Sequence, residues 1–143
     1  MDRKGFSLLE VMVVVVIVGI IAAIAIPSYN GYVTRTRRAD AVSALETVAL
    51  YQEKNMAEHG AYGTLAQLNA NVGLVNPNAD PDRNYNITVI LGAGNTSYVA
   101  IATGMNAQAG DIEFALDSNG NRGTNNAGSV SPNAQLWRTL RRD

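Results

Sequence analysis

Cysteine is absent from the 143 residues, which excludes disulfide bonds, thiolate metal sites and thiol catalysis. The single histidine, His59, has no evident partners for a metal or catalytic site, and we expect it to lie exposed at a helix end. The net charge is only −1, so no overall field favours nucleic acid or an acidic substrate. Because no catalytic triad, pair of acids or metal cluster can be assembled outside the helix, we expect neither an enzyme nor a cofactor.

What the chain does contain is an apolar N-terminal run. Residues 11–26 are all apolar or Gly, and as a helix they would rise about 24 Å, short of a bilayer core of about 30 Å. Starting the span at Phe6 gives about 21 residues and a fitting length. Glu10 then lies inside the hydrophobic region, where a carboxylate costs about 2.5 kcal/mol or more. Glu10 therefore either stays hydrated at the headgroups or meets a specific cation inside an assembly.

An ordinary secretory signal is an alternative interpretation of this N-terminus. Arg3 and Lys4 would supply its charged start, and residues 23–25 (Ala-Ile-Ala) would supply a small-residue cleavage site. Against this alternative, Glu10 interrupts the apolar stretch and the helical pattern continues past the cleavage site. Positive charges at both ends of the span leave its orientation undecided.

The segment Gly5-Phe6-Ser7-Leu8-Leu9-Glu10-Val11-Met12, followed by the apolar run with Gly19 and Pro27, resembles the class III leader of type IV prepilins. The resemblance covers roughly the first sixty residues. It implies that a prepilin peptidase cuts between Gly5 and Phe6 and methylates the new amine. Glu10 would then meet the Phe6 ammonium of a neighbouring subunit. The family also implies that the helix unwinds between Gly19 and Pro27 in filaments, although the residues alone leave a simple Pro kink open.

The same resemblance implies an organisation, partners and a location. Residues 1–5 form the leader, residues 6–28 the transmembrane and filament-core half of the helix, and residues 29–143 the globular head with the rest of the helix. The expected partners are further copies in a helical filament, the inner membrane, the peptidase and the pilus assembly machinery. We expect a single-pass precursor in the bacterial inner membrane and then an extracellular pilus.

The remaining residues predict an α+β fold, in which the long N-terminal helix packs on a small antiparallel sheet of about four strands. Apolar spacing predicts the sheet-facing side of the helix at Ala41, Val42, Leu45, Val48, Ala49, Gln52 and Met56. The helix should end at His59-Gly60. We predict a helical turn over 62–68, a loop over 69–83, and strands over 85–91, 98–103 and 112–117, with a fourth from Arg122. Trp137, in a polar tail, should pack against the sheet.

Three functions remain open from the sequence. The leading one is a structural subunit of a type IV pilus, and the first alternative is a pseudopilin of type II secretion. The second alternative is a DNA-binding minor pilin of transformation, which would need a basic strip for phosphate contact. Two groups of arginines could supply this strip, although the first is expected in the filament core: Arg35, Arg37 and Arg38, and Arg138, Arg141 and Arg142. Asp117-x-Asn119-x-Asn121 faintly resembles a calcium loop, but Arg122 replaces its glycine and a hairpin turn is favoured.

Overall fold

The structure is a computed structural model that describes residues 7–140. It divides into two compact units, of which one ends at Arg35 and the other, here called the head, begins at Thr36. Helix α1 spans Leu8–His59 and supplies residues to both units. Its predicted end at His59 is confirmed, and Gly60 follows with a left-handed φ of 72°. The predicted boundaries after residues 5 and 28 stay predictions.

The head contains a five-stranded antiparallel sheet in which each strand pairs with the next along the chain. The strands are β1 (Tyr85–Leu91), β2 (Tyr98–Gly104), β3 (Phe114–Asp117), β4 (Arg122–Asn126) and β5 (Ser129–Pro132). The predicted α+β fold, a long helix packed on an antiparallel sheet, is confirmed. The sheet has one strand more than expected, and β3 begins two residues later than predicted.

The core lies between one side of α1 and the sheet. Of the predicted helix positions, five are buried and the remaining two, Ala49 and Met56, pack at the edge of the core; the buried five are Ala41, Val42, Leu45, Val48 and Gln52. Alternate residues of the central strands complete the core, since side chains two apart share one face of a strand: Tyr98, Ala100, Ala102, Phe114 and Leu116. Gln52 tolerates burial because its side chain exchanges two hydrogen bonds with the backbone of Gly63.

Two short helices differ from the sequence predictions. Helix α2 spans Leu65–Val72, so it starts later than the predicted turn and extends into the predicted loop. Its start is fixed by a capping box, in which Thr64 and Gln67 each bond the other's backbone N–H. Helix α3 spans Ala134–Leu140 in the tail, where no helix was predicted, and Asn133 accepts a hydrogen bond from the Leu136 N–H at its start.

Trp137 on α3 packs as predicted. Its side chain is 2% exposed, its ring lies 6.4 Å from that of Phe114, and its indole N–H donates to the Gly123 carbonyl at 3.0 Å. The favoured hairpin interpretation of the Asp117 segment is also confirmed. The Asp117 carboxylate accepts the backbone N–H groups of Asn119 and Asn121 in the turn between β3 and β4.

Candidate functional site

The N-terminal part of α1 exposes a long apolar surface within its own unit. The helix contains a stretch that is long and apolar enough to cross a membrane, and none of that stretch is buried. Large side chains from Leu8 to Ile26 are about half exposed or more. Exposed apolar area on this scale marks a surface that another apolar phase or partner covers. Glu10 lies on this stretch, and among residues 7–140 its carboxylate makes no hydrogen bond or ion pair.

The other predicted assembly and processing residues lie around Glu10 in the sequence. Gly19 and Pro27 are both inside α1, and every residue between them is helical in this structure. Pro27 cannot donate a hydrogen bond to the carbonyl four residues earlier, so the helix has one backbone bond fewer there. A Cβ added at Gly19 would meet no atom within 4 Å. Gly5 and Phe6 lie outside the described residues.

In the head, a polar cluster joins α1 to the segment before β3. The Arg38 guanidinium donates from both Nε and Nη2 to the Asp111 carboxylate, with the Nε bond at 2.8 Å. The Tyr85 hydroxyl donates to the same carboxylate at 2.6 Å, and the Gln108 amide donates at 2.9 Å. The Arg38 hydrogen bond holds the pKa of Asp111 well below its usual range. Burial, followed by the bond to Asp111, raises the pKa of Tyr85 to about 12.

This cluster changes the assignment of one predicted basic group. Arg38 was grouped with Arg35 and Arg37 and placed in the filament core, but its charge is already neutralised by Asp111 inside the head. A buried carboxylate attracts the nearest guanidinium because a bidentate pair satisfies both charges. Arg38 is therefore part of the fold and is not available to bind phosphate.

The C-terminal arm, defined as residues 118–142 between Asp117 and Asp143, has a distinct charge. It contains four arginines and no Asp or Glu. Arg122, on β4, has 45% of its side chain exposed, and Arg138, on α3, is also exposed. Arg141 and Arg142 belong to the arm in sequence and lie outside the described residues. The sequence interpretation recognised the last three arginines but not Arg122, and the missed signal was the absence of acids over 25 residues.

Close backbone contacts hold the arm in place. A Cβ at Gly123 would lie 1.8 Å from the Ser131 carbonyl oxygen, so only glycine permits this approach of β4 and β5. The buried Trp137 fastens α3 to β4 through the Gly123 carbonyl. Because Arg138 directly follows this buried residue, the packing of Trp137 holds the backbone at Arg138, whose side chain is exposed.

Acids from outside the arm reach it, and the Glu113 carboxylate accepts a hydrogen bond from the Asn125 side-chain amide. The Glu46 carboxylate on α1 lies 3.8 Å from the Arg122 Nε, within ion-pair distance but beyond a hydrogen bond. The Asp117 carboxylate beside them is occupied by the turn. Glu46 is half-buried where α1 meets β4.

Comparisons with protein families match two parts of the chain. Residues 1–26 match the "Prokaryotic N-terminal methylation motif". Residues 27–112 match the family described as "Type IV minor pilin ComP, DNA uptake sequence receptor". The C-terminal arm lies beyond the end of this second match.

The curated relatives are similar over less than half of this chain. The type IV major fimbrial protein FimA of Dichelobacter nodosus is 41% identical over 61 residues, which cover 43% of this chain and 38% of that protein. A fimbrial protein of the same species is 43% identical over 56 residues, which cover 39% of this chain and 35% of that protein. No solved structure matches the chain.

Proposed function

Because the chain belongs to the type IV pilins, within the family of the minor pilin ComP, we propose that it is a filament subunit of a type IV pilus. The observation that carries the proposal is the exposed apolar stretch of α1, joined to a head with its own core. The type II secretion alternative has less support, since the relatives compared above are named fimbrial proteins. The role is structural and requires no catalytic group.

The apolar stretch is covered first by lipid and then by other subunits. Residues 6–28 would rise about 35 Å as a helix, enough to cross a bilayer core of about 30 Å. In the precursor this segment is a single-pass anchor in the inner membrane. In the extracellular pilus the same side chains pack against the helices of neighbouring copies, with the pilus assembly machinery moving subunits from one environment to the other.

Glu10 has its role in the assembled filament. After the prepilin peptidase cuts between Gly5 and Phe6 and methylates the amine, the Phe6 ammonium of a neighbouring subunit is the cation that Glu10 lacks among residues 7–140 of its own chain. Water is excluded there, so an unmatched charge is costly. Gly19 and Pro27 weaken the helix between them, and this segment unwinds as the subunits pack.

Replacing Glu10 by Gln tests this function. The variant loses the ion pair in the filament, whereas its insertion into lipid becomes easier because the charge is gone. We expect normal amounts of the variant in the membrane fraction and at least a tenfold loss of its incorporation into filaments. Glu58→Gln, which removes an exposed carboxylate near the end of α1, is the matched control. Normal incorporation of the Glu10 variant would leave Glu10 without an assembly role.

DNA uptake is a second candidate function, favoured by the family match over residues 27–112. We propose that the assembled subunit presents its head to DNA outside the cell. Cells without the chain should keep their pili, if other pilins form the bulk of the filament, and should take up less labelled DNA. Restoring the chain should restore uptake. Unchanged DNA uptake in piliated cells without the chain would reject this role and leave the structural one intact.

A further inference from the structure

We propose that a cleft in the head, between α1 and the turn that joins β3 to β4, binds an organic cation, in which an ammonium or guanidinium group is carried on an aliphatic stem. The cleft has a volume of about 530 Å³, a size typical of small-molecule sites in proteins. The proposal goes beyond the filament and DNA roles given above, and the cleft lies apart from the apolar stretch of α1.

The cleft carries an excess of negative charge. Three acids line it, Glu46 and Glu53 from α1 and Asp117 from the end of β3, and Arg122 is the single cation among its lining residues. Three negative charges and one positive charge leave a formal charge of −2. The cleft therefore repels a phosphate or a carboxylate and attracts a cation.

Tyr98, at the start of β2, supplies an unused hydroxyl to the cleft. Tyr98 is 2% exposed and its ring lies edge-on to that of Tyr62, with 4.8 Å between the ring centres, yet among residues 7–140 its hydroxyl makes no hydrogen bond. Buried hydroxyls are normally hydrogen-bonded, because an unpaired one costs free energy. Burial raises the pKa of this hydroxyl and the charge of Glu53 raises it further, so the neutral group lies in a negative field. A cationic donor in the cleft would give the Tyr98 oxygen the partner it lacks.

The arrangement of the acids suits an extended cation better than a metal ion. Among residues 7–140, no group of three His, Cys, Asp or Glu side chains could hold a metal ion. The Asp117 carboxylate accepts hydrogen bonds within the turn, so it contributes charge more than a direct contact. Glu53 accepts the Tyr62 hydroxyl at 3.2 Å through Oε1, and within the described part of the chain its Oε2 makes no hydrogen bond. Glu53 is therefore the acid that can bond a ligand directly.

An apolar surface beside these charges accommodates the stem of the cation. Leu50 is 69% exposed although it belongs to the folded head, and Ala49 and Leu116 also line the cleft. A methylene stem packs on such a surface while its charged end reaches the carboxylates. Two sources supply this chemistry: a free alkylamine, and the lysine or arginine side chain of a neighbouring copy in a filament.

The test measures binding of 1,4-diaminobutane to the purified full chain, in neutral detergent micelles, by isothermal titration calorimetry. The matched control ligand is 1,4-butanediol, which has the same stem and no charge. We expect one diamine per chain with a dissociation constant of about 1 mM, and no binding of the diol. Added salt should weaken diamine binding, because the attraction depends on charge.

Four variants locate the site. Glu53→Gln should weaken diamine binding by at least about fivefold, whereas Glu58→Gln, which removes an exposed carboxylate of α1 outside the cleft, should change it by less than about twofold. Tyr98→Phe keeps the ring and removes only the hydroxyl. It should weaken binding about threefold without lowering the free energy of unfolding, since this hydroxyl loses no partner among the described residues. Arg122→Gln should bind more tightly, because the Arg122 charge competes with the ligand for the carboxylates.

Circular dichroism checks that each variant is folded. The proposal is overturned if the diamine does not saturate the chain, if the diol binds equally well, or if Glu53→Gln behaves like Glu58→Gln. Radiolabelled diamine added to purified filaments then identifies the source of the cation. Filaments that bind one diamine per subunit assign the site to a free alkylamine. If the chain in micelles binds the diamine and filaments do not, the basic side chain of a neighbouring copy is the ligand. If the chain forms no filaments, the filament role fails and the measurement in micelles still decides whether the cleft binds a cation.

Discussion

Replacing Asp111 by Asn should destabilise the head measurably and in a pH-dependent way. The Asp111 carboxylate accepts hydrogen bonds from Arg38, Tyr85 and Gln108, and only 14% of its side chain is exposed. An amide at this position has one acceptor oxygen in place of two and presents an NH₂ group to donors. At least one donor of the cluster then loses its partner, and the Arg38 charge is left without a counterion.

The magnitude follows from the geometry. Hydrogen bonds that involve a charged group contribute about 1.5–3 kcal/mol, and breaking a fully buried pair costs about 3–5 kcal/mol. Arg38 keeps 28% of its side chain exposed, so solvent recovers part of the loss. We expect the free energy of unfolding to fall by about 2 kcal/mol at neutral pH.

The pH dependence gives this prediction a second readout. The pKa of Asp111 is lowered in the folded chain from an ordinary value of 3.8, so its stabilising contribution is complete above that value. The contribution disappears as the pH falls from there towards the folded pKa, and the difference between the native chain and the variant should shrink with it.

Urea unfolding of the full chain in neutral detergent, followed by the fluorescence of the single Trp137, measures both quantities. Asp82→Asn is the matched control, because among the described residues the Asp82 carboxylate makes no hydrogen bond or ion pair. It should change the free energy of unfolding by less than about 0.5 kcal/mol. An Asp111 variant as stable as this control, or a difference that does not change with pH, would refute the role assigned to the cluster.

Three further substitutions test the arm by unfolding followed with circular dichroism. Ala127→Asn should raise the free energy of unfolding by about 0.5–1 kcal/mol, because Ala127 has a φ of 49° at the β4–β5 turn and Asn tolerates this conformation better. A loss of stability would contradict the turn assignment. Trp137→Phe should lower the free energy of unfolding by about 2–3 kcal/mol, because it leaves the Gly123 carbonyl unpaired and reduces the buried apolar area. An unchanged free energy of unfolding would place the ring outside the core. Gly123→Ala should lower the free energy of unfolding by more than about 3 kcal/mol, because the new Cβ clashes with the Ser131 carbonyl. In the control Gly31→Ala the new Cβ meets no atom within 4 Å, so the stability of the head should not change. Equal effects of the two substitutions would be inconsistent with the close approach of β4 and β5.

The parts of the fold that follow from periodicity could be predicted from the sequence. The buried side of α1 repeats every three to four residues, and β1 and β2 are β-branched segments bounded by Gly and Asn, so each pattern indicates its element directly. The antiparallel pairing of β1 with β2 also follows, because only a short turn, with Gly92 and Gly94, joins them.

The elements that were missed have no such pattern. Strand β5 (Ser129–Pro132) is a polar edge strand that ends in proline, and its pairing depends on the absence of a side chain at Gly123. Helix α3 is short, and its start depends on Asn133 and its packing on Trp137. The α2 boundary could have been found from the Thr64-x-x-Gln67 capping box.

Some residues of the candidate sites could be predicted from the sequence and others could not. Glu10, Gly19 and Pro27 were found because they occupy fixed positions in a recognisable N-terminal motif. The partners of Arg38 and Arg122 could not be found from spacing, because Asp111 lies 73 residues from Arg38 and Glu46 belongs to a different element from Arg122. Long-range ion pairs leave no local periodicity, so only the folded chain identifies them.

Mass spectrometry of filaments sheared from the cell surface tests the central proposal most directly. If the chain is a pilus subunit, its peptides will be present in the purified filaments, and its N-terminal peptide will begin at a methylated Phe6. A chain found only in the membrane fraction, or one that begins at Ile26 after the alternative cleavage site, would contradict the proposal.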